Sequence, residues 1–551
     1  MFQACRRTAL KSVRGPVKRH IPRGFAPCTK RSLRPFASAI AGSPIAWKRD
    51  RRLAAFSSIT ASGLSEEGGS NAEPSSGAEL SPLRTGPSSA PRVVVLGGGF
   101  GGLNTALKLS ELKWDQSTPE ITLVDVSERF LFKPLMYELI TGEATLDQVA
   151  PLFRDLLGPT PVRFVNQKVK DVTLADVGGN TAGRIHLDGS EQDFIDYDYL
   201  VVGLGAETNL ELAEGAKEFA LPFNTLDDVR ELEQRLQDIE DEGRSVSVAV
   251  VGGGAGGVEL AASVADRLQS TMGDASKGAV KLYVGGSDVM EDFAEDAREV
   301  AREALEKKGI EVLTNQRVEK VAAEEGEGKQ GKYSVTVSTK GQSDPLEVSY
   351  DLVLWTAGQK ATPLAGLSPS AEVKTPMTIE PTLRVTDRER EFALGDIAGM
   401  QFPATAQVAM QQADYCAWNL FASINSEPML NFRYQHLGKL TTLGSLAGTA
   451  TLNLPGVGEV TLKGPVASAL RKLAYVYRMP TNQQRLKVGS EWLQNPEMWV
   501  PPELPKDIKD LEKLNPFVGA PNLDKLFDEK EVKDALQGLY ERIQAERGKR
   551  V

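Results

Sequence analysis

The chain of 551 residues is short of the side chains that carry most covalent and metal chemistry. It has three cysteines (Cys5, Cys28, Cys416) and three histidines (His20, His186, His436). No pair of cysteines has C-x-x-C spacing, which excludes a disulfide worked by neighbouring thiols and, with it, sulfide oxidation through paired cysteines. The histidines form no triad and no ligand-like cluster, so no metal is expected. No uninterrupted apolar run approaches the roughly 18 residues needed to cross a bilayer. Acids are almost missing before Leu53, where fourteen Lys and Arg face only Asp50. A basic leader scattered with Ser, Ala and Pro reads as an organellar transit peptide at 1–56. A nucleic-acid-binding arm is the competing reading, but no motif supports it, and no nucleic-acid partner is expected. Without the thirteen net positive charges before Leu53, the formal charge moves from −10 to −23, so the mature protein is acidic. Residues 57–90 are Ser, Gly, Pro and Ala with few large apolar side chains, the composition of a disordered linker.

Glycine is plentiful, and two clusters of it carry the argument. Val93–Gly102 reads VVVLGGGFGG and Val246–Ala261 reads VSVAVVGGGAGGVELA. In each, a β-branched run suited to a strand buried on both faces leads into a glycine turn and then a helix. Gly97, Gly99 and Gly102 fit G-x-G-x-x-G, which gives a tight turn, backbone access for a pyrophosphate and close helix–strand packing. Phe100 and Gly101, between them, supply helix amides to the same cradle. A strand at Ile121–Val124 then delivers Asp125, a candidate ribose acid. Gly252, Gly254 and Gly257 repeat the pattern. At the tip of the second strand of that repeat stand Gly285, Gly286 and Ser287, where an NAD-selective site carries an acid, so NADPH is expected alongside NADH. Glu259 lies in the first turns of the second cradle's helix. It serves either to place the nicotinamide or simply to complement the helix dipole. Two facing dinucleotide cradles describe a flavoprotein that takes hydride from a nicotinamide, a reaction that requires alignment more than an acid or base.

Other segments complete the expected site. Tyr197–Asn209 and Tyr350–Gly358 share an apolar strand with a small-residue stop, at Gly205 and Gly358, and read as crossings between two nucleotide domains. In Glu391–Ala398, EFALGDIA, Gly395 precedes Asp396 after a strand, which resembles a flavoprotein motif whose aspartate binds the flavin's ribityl chain; read from the residues alone, Asp396 is an ordinary helix N-cap. Phe130–Glu138, FLFKPLMYE, reads as a loop over the flavin, with Lys133 near the ring and Pro134 and Tyr137 packing; core packing explains Tyr137 as well. Gln407 and Gln411 share a helix face after Ala406 and could hydrogen-bond quinone carbonyls, although a Gln pair is more often a solvated face. In Pro465–Arg478, Val466, Leu470, Leu473 and Tyr477 recur at helical spacing while Arg471, Lys472 and Arg478 supply a basic side. That is the pattern of a helix lying in a membrane interface, or of one covering the protein body.

Both cradles, FKPLMYELITGE, LGDIA and AQVAMQQ together resemble a type II NAD(P)H:quinone dehydrogenase, in particular the plant and algal C-type alternative dehydrogenases of plastids. The resemblance implies an FAD enzyme, peripheral to a membrane and not proton-pumping, that reduces a prenylquinone: plastoquinone, a demethylated phylloquinone precursor or ubiquinone. It implies a chloroplast location, on a thylakoid or plastoglobule surface, with the mitochondrion as the alternative; a homodimer is compatible. The expected architecture is α/β, with two Rossmann-like dinucleotide-binding domains and a C-terminal amphipathic membrane-association segment. The FAD domain takes 91–220 and 362–453, the second piece holding the quinone site. The NAD(P)H domain is inserted at 221–361, a membrane-association region follows at 454–500, and a charged tail occupies 501–551. Two other functions compete. One is a soluble FAD and NAD(P)H oxidoreductase with a non-quinone acceptor; the other is a redox-sensing or assembly protein that merely retains the flavin.

Overall fold

The computed structural model describes residues 90–494, except 115–116, 176–181, 190–192, 274–277, 325–331, 368–376, 400, 446 and 455–457, together with Phe517–Val518. The expected leader, the linker before Ala90 and the tail outside Phe517–Val518 lie outside the described residues.

Two five-stranded parallel sheets of the same order form the framework. In the first, Arg92–Leu96 is central, flanked on one side by Glu120–Asp125 and Arg163–Asn166 and on the other by Tyr199–Val202 and Glu391–Ala393. In the second, Val246–Val251 is central between Gly278–Val284 with Glu311–Thr314 and Leu352–Trp355 with Leu221–Pro222. Val93 to Leu96 and Val248 to Val250 are buried on both faces, which is why these runs are continuously apolar and not alternating. Each sheet is covered by an antiparallel meander: Val169–Thr173, Gly183–Leu187 and Phe194–Tyr197 for the first, and Gln316–Ala323, Tyr333–Thr339 and Leu346–Tyr350 for the second. The fold is therefore α/β with two Rossmann-like halves, built twice from one plan.

The halves are joined where both crossing segments stop. Gly205 and Gly358 each take φ near +71°, and the chains beyond them, Ala206–Thr208 and Gln359–Ala361, pair antiparallel as a two-stranded link. A further four-stranded antiparallel sheet (Gly438–Thr442, Gly448–Leu454, Gly458–Lys463, Phe517–Val518) packs beside the second half and under the helix Gly464–Arg478. Its central hairpin spans the boundary expected at 453, so the second FAD piece and the C-terminal region share one element. The helix Ala406–Asn425 lies along Phe100–Glu111, which returns the chain's later part to the first cradle.

Candidate functional site

The first cradle has the shape a pyrophosphate needs. Gly97 sits at φ +91°, and a Cβ there would lie 2.5 Å from the Gly203 carbonyl oxygen. A Cβ on Gly102 would lie 1.8 Å from the Gly97 carbonyl oxygen, so helix and strand touch backbone to backbone. Around Gly99, by contrast, a Cβ would meet nothing within 4 Å. The amides of Phe100, Gly101 and Gly102 open the helix Phe100–Glu111, where helical amides lack intrahelical acceptors and face that free space. The Phe100 ring turns the other way, edge-on to Phe130 and Phe132, so this residue contributes its backbone alone. Asp125 ends its strand beside the cradle and accepts from the amides of Gly98 (2.5 Å) and Ser127 (2.7 Å); burial raises its pKa against those two donors.

Asp396 faces the same cleft. The short turn Gly395–Ile397 is capped by Leu394 with no side-chain bond, which removes the N-cap reading of Asp396. Its carboxylate has no hydrogen bond to the described residues; burial raises its pKa and the charge of Lys133 opposes that rise. Gly395, at φ +74°, donates its amide to Gln412 Oε1 (2.7 Å), which fixes the turn against the helix Ala406–Asn425. Across the cleft, Pro134 sits in the short turn Lys133–Leu135, and Lys133 donates to Asn224 Oδ1 (2.7 Å) at the entry to the second half. The Lys133 ammonium is open to solvent on one side while protein desolvates the rest, which lowers its pKa against the charges of Asp396 and Asp228. An open cradle, an unbonded half-buried carboxylate and a facing cation fit the pyrophosphate and polyol chain of FAD.

The second cradle repeats the first in detail. Gly252 is at φ +128° with a Cβ position 2.4 Å from Thr356 Oγ1, a Cβ on Gly257 would lie 1.9 Å from the Gly252 carbonyl oxygen, and Gly254 is open. One expectation changes here. The tip of the strand Gly278–Val284 has no acid of its own, but the loop after it folds back on the cradle, Met290 donating its amide to Gly253 O (2.7 Å). That fold brings Glu291 to the strand tip, where Oε1 accepts from the Ser287 amide (2.8 Å), the Ser287 hydroxyl (3.0 Å) and the Asp288 amide (3.3 Å). These donors hold Glu291 below the usual carboxylate range. A negative charge therefore does stand at the tip of that strand.

Glu259, on the helix Ala255–Met272, does more than complement a dipole. This helix packs on the short helix Tyr137–Thr141 from the first half. Glu259 is half-buried, accepts from the Thr442 amide (3.0 Å) and is hydrogen-bonded to Tyr137. Burial pushes its pKa up to about 8, against the lowering influence of Thr442, Arg471 and Tyr137. Tyr137 therefore packs against Phe223 and also carries a polar contact into the cleft, so core packing is only part of its role.

Two other expectations are revised. Both Gln amides are committed to the backbone of the following segment. Gln407 donates to Gly438 O (3.2 Å) and accepts from Tyr434 OH (2.8 Å) and Leu437 N (3.0 Å). Gln411 donates to Gln435 O (2.8 Å) and accepts from Gln435 N (2.9 Å). Their shared face seats the strap 434–438 over the helix, which is why four-residue spacing recurs without two free amides. The basic side of the helix Gly464–Arg478 points inward: Arg471 is 1% exposed and paired with Glu138 at 2.6 Å, and Lys472 is fully buried beside Glu143 at 3.5 Å. Val466, Leu473 and Tyr477 face solvent instead, and Leu486 and Leu493 on the next helix, Asn482–Gln494, join them. Sequence reasoning missed Glu291 and Thr442. The Ser287–Glu291 spacing signals the first, and nothing local signals a backbone amide. Among the described residues no group of His, Cys, Asp and Glu is arranged to hold a metal, and no helix is long and apolar enough to cross a membrane.

Residues 91–413 match the family described as pyridine nucleotide-disulphide oxidoreductase, and the chain belongs to that family of FAD and NAD(P)H flavoenzymes. Within it the chain is a type II NAD(P)H:quinone oxidoreductase. It is 38% identical over 425 residues to the Arabidopsis thaliana alternative NAD(P)H-ubiquinone oxidoreductase C1, chloroplastic/mitochondrial, covering 73% of this chain and 80% of that one. It is also 38% identical over 417 residues to the demethylphylloquinone reductase NdbB of Synechocystis sp., covering 74% and 96%. In fold it is similar to NDH2 from Plasmodium falciparum in complex with NADH, with TM-score 0.61, 20% identity and coverage of 73% and 98%.

Proposed function

We propose that this enzyme reduces a prenylquinone at a plastid or mitochondrial membrane surface, and that Glu259 holds the second proton of the reaction. The observation that carries the reading is Glu259 itself, a half-buried carboxyl pushed up to about 8 between the two cradles. A hydride brings two electrons and one proton, whereas a quinol needs two electrons and two protons. FAD supplies the two-electron relay between donor and acceptor when bound. Everything else falls to the chain. The two cradles align the dinucleotides, Asp396 and Lys133 fix the flavin side of the cleft, and Glu259, bonded to Tyr137, keeps a proton at neutral pH. No thiol competes as acceptor among the described residues: Cys416 is buried and its thiol is pushed up to about 12.

The relatives named for demethylphylloquinone and ubiquinone reduction support a quinone with an isoprenoid tail. The outward apolar residues of the last two described helices support a lipid surface, plastoglobule or thylakoid in a plastid, more than a soluble acceptor. The sign of the pH dependence follows from Glu259. Its proton is present below about pH 8 and lost above, so quinone turnover should fall as pH rises through that value. Anaerobic stopped-flow tests this: flavin bleaching by NADH or NADPH, then reoxidation by a short-chain prenylquinone, in wild type and Glu259→Gln. The reading requires rapid reoxidation in wild type and loss of the limb near pH 8 in the variant. Slow reoxidation by every quinone tried refutes the acceptor, and an unchanged limb in Glu259→Gln refutes the proton assignment.

A further inference from the structure

The helix Gly464–Arg478 reaches the site. Its inner face inserts Arg471 against Glu138, the residue after Tyr137, and neither Glu138 oxygen has a further hydrogen bond among the described residues. Tyr475, one turn on, lies edge-on to Phe132 at 5.6 Å. Lys472 pairs with Glu143, Gln484 donates to Asp147 O (3.0 Å), and Gln148 donates to Glu491 (2.8 Å). The last two described helices therefore clamp residues 132–148, the segment that presents Tyr137 to Glu259. Glu259 is faced by Tyr137 and Glu138 from that segment, by Arg471 and Tyr475 from the helix Gly464–Arg478, and by the Thr442 amide from the strand Gly438–Thr442.

We propose that Arg471 is a positioning residue for the Glu259 proton, acting through its buried ion pair with Glu138; the inference rests on the reading of Glu259 given above. A buried ion pair acts on its neighbours through both charges, and the charge left when one partner is removed is poorly screened. Removing Arg471 leaves the Glu138 carboxylate to repel a charge on Glu259, which then holds its proton more tightly. Removing the Glu138 charge leaves Arg471 to attract the Glu259 carboxylate, which then releases its proton more readily. Removing both returns the balance. A role confined to packing would move all three variants in one direction. The outer face of the same helix carries Val466, Leu473 and Tyr477, so the element that offers apolar surface outward sets the proton inward.

The test follows the infrared carbonyl band of the protonated carboxylic acid through a pH titration of the FAD-loaded full chain, with no quinone present. The Glu259 band is the one missing from Glu259→Gln. Its midpoint near pH 8 should rise by about one pH unit in Arg471→Gln, fall by about as much in Glu138→Gln, and return close to wild type in the double variant. Arg471→Lys should hold the wild-type midpoint. Should Arg471→Gln fail to fold, Glu138→Gln and the double variant carry the same test. If the band titrates normally in wild type but the variants do not move it in opposite directions, the role of Arg471 is overturned while that of Glu259 stands. If no band is lost in Glu259→Gln, the reading of Glu259 falls first.

Discussion

Gly99 and Gly102 stand three residues apart in one motif, yet the same change should break two different things. A methyl on Gly99 meets no protein atom within 4 Å, and the backbone there, at φ −68° and ψ −168°, suits any L residue. Gly99→Ala should leave the apoprotein as stable as wild type, within about 0.5 kcal/mol. It places the methyl where a phosphate must approach the helix amides. Two charge-assisted hydrogen bonds, at roughly 1.5 kcal/mol each, would be lost, which is about 3 kcal/mol or just over a hundredfold in the Kd for FAD. A methyl on Gly102 instead lies 1.8 Å from the Gly97 carbonyl oxygen, a backbone atom that cannot swing aside. The helix must lift from its strand, at a cost of about 3 kcal/mol or more, a large part of the ~5–15 kcal/mol that holds a domain together. The assay is thermal unfolding of deflavinated protein beside fluorescence titration with FAD. The reasoning is refuted if Gly99→Ala binds FAD as wild type does, or if its apoprotein melts as early as that of Gly102→Ala.

Glu291→Gln should raise the kcat/KM for NADPH relative to NADH severalfold, because it removes the carboxylate held at the strand tip by Ser287, whereas the neighbouring Asp288 carboxylate is already paired with Arg298 and Arg302; an unchanged ratio in steady-state kinetics refutes that placement. Asp396→Asn should weaken FAD retention about five- to tenfold, since a charge-assisted bond worth ~1.5–3 kcal/mol becomes a neutral one worth ~0.5–1.5 kcal/mol, and gel filtration at low protein concentration with absorbance detection would show flavin separating from the chain. Leu473→Glu with Leu486→Glu should shift the protein from the floating to the soluble fraction on sucrose flotation with lipid vesicles. Each leucine taken into lipid contributes ~1.5–3 kcal/mol, so an equal floating fraction would mean this face does not meet the bilayer.

The framework was legible because its signals are local. A β-branched run followed by a glycine turn announces a parallel strand and its cradle, and both cradles appear where Val93–Gly102 and Val246–Ala261 place them. Gly205 and Gly358 were readable as stops because a small residue after an apolar strand is itself a backbone requirement, met here by two positive φ values. Other groups arrive from a distance. Asp125 follows its strand directly and is visible in the motif, but Glu291 reaches the equivalent place in the second half only because Met290 N hydrogen-bonds to Gly253 and turns the loop back. The Gln407 and Gln411 amides have a helix-face spacing that suits a ligand and suits a backbone strap equally. Only the position of Gln435 and Gly438 decides between them.

Periodicity shows that the helix Gly464–Arg478 has two faces, but not which of them is inside. The common assumption turns charge to water, and here it fails because the underlying surface is itself charged. Glu138 and Glu143 line the segment beneath the helix, and a leucine set over them would leave a buried carboxylate, Glu138, and a half-buried one, Glu143, without partners, which costs more than placing Arg471 and Lys472 there. The acids on the body thus decide the rotation of the helix about its axis. Once Arg471 and Lys472 are inward, helical spacing obliges Val466, Leu473 and Tyr477 to face out. The rotation is thus settled by the ion pairs alone, and on the proposed reading, in which an oily quinone is taken from a lipid surface, it also gives a docking face outward and a cationic contact inward to the segment that carries Tyr137.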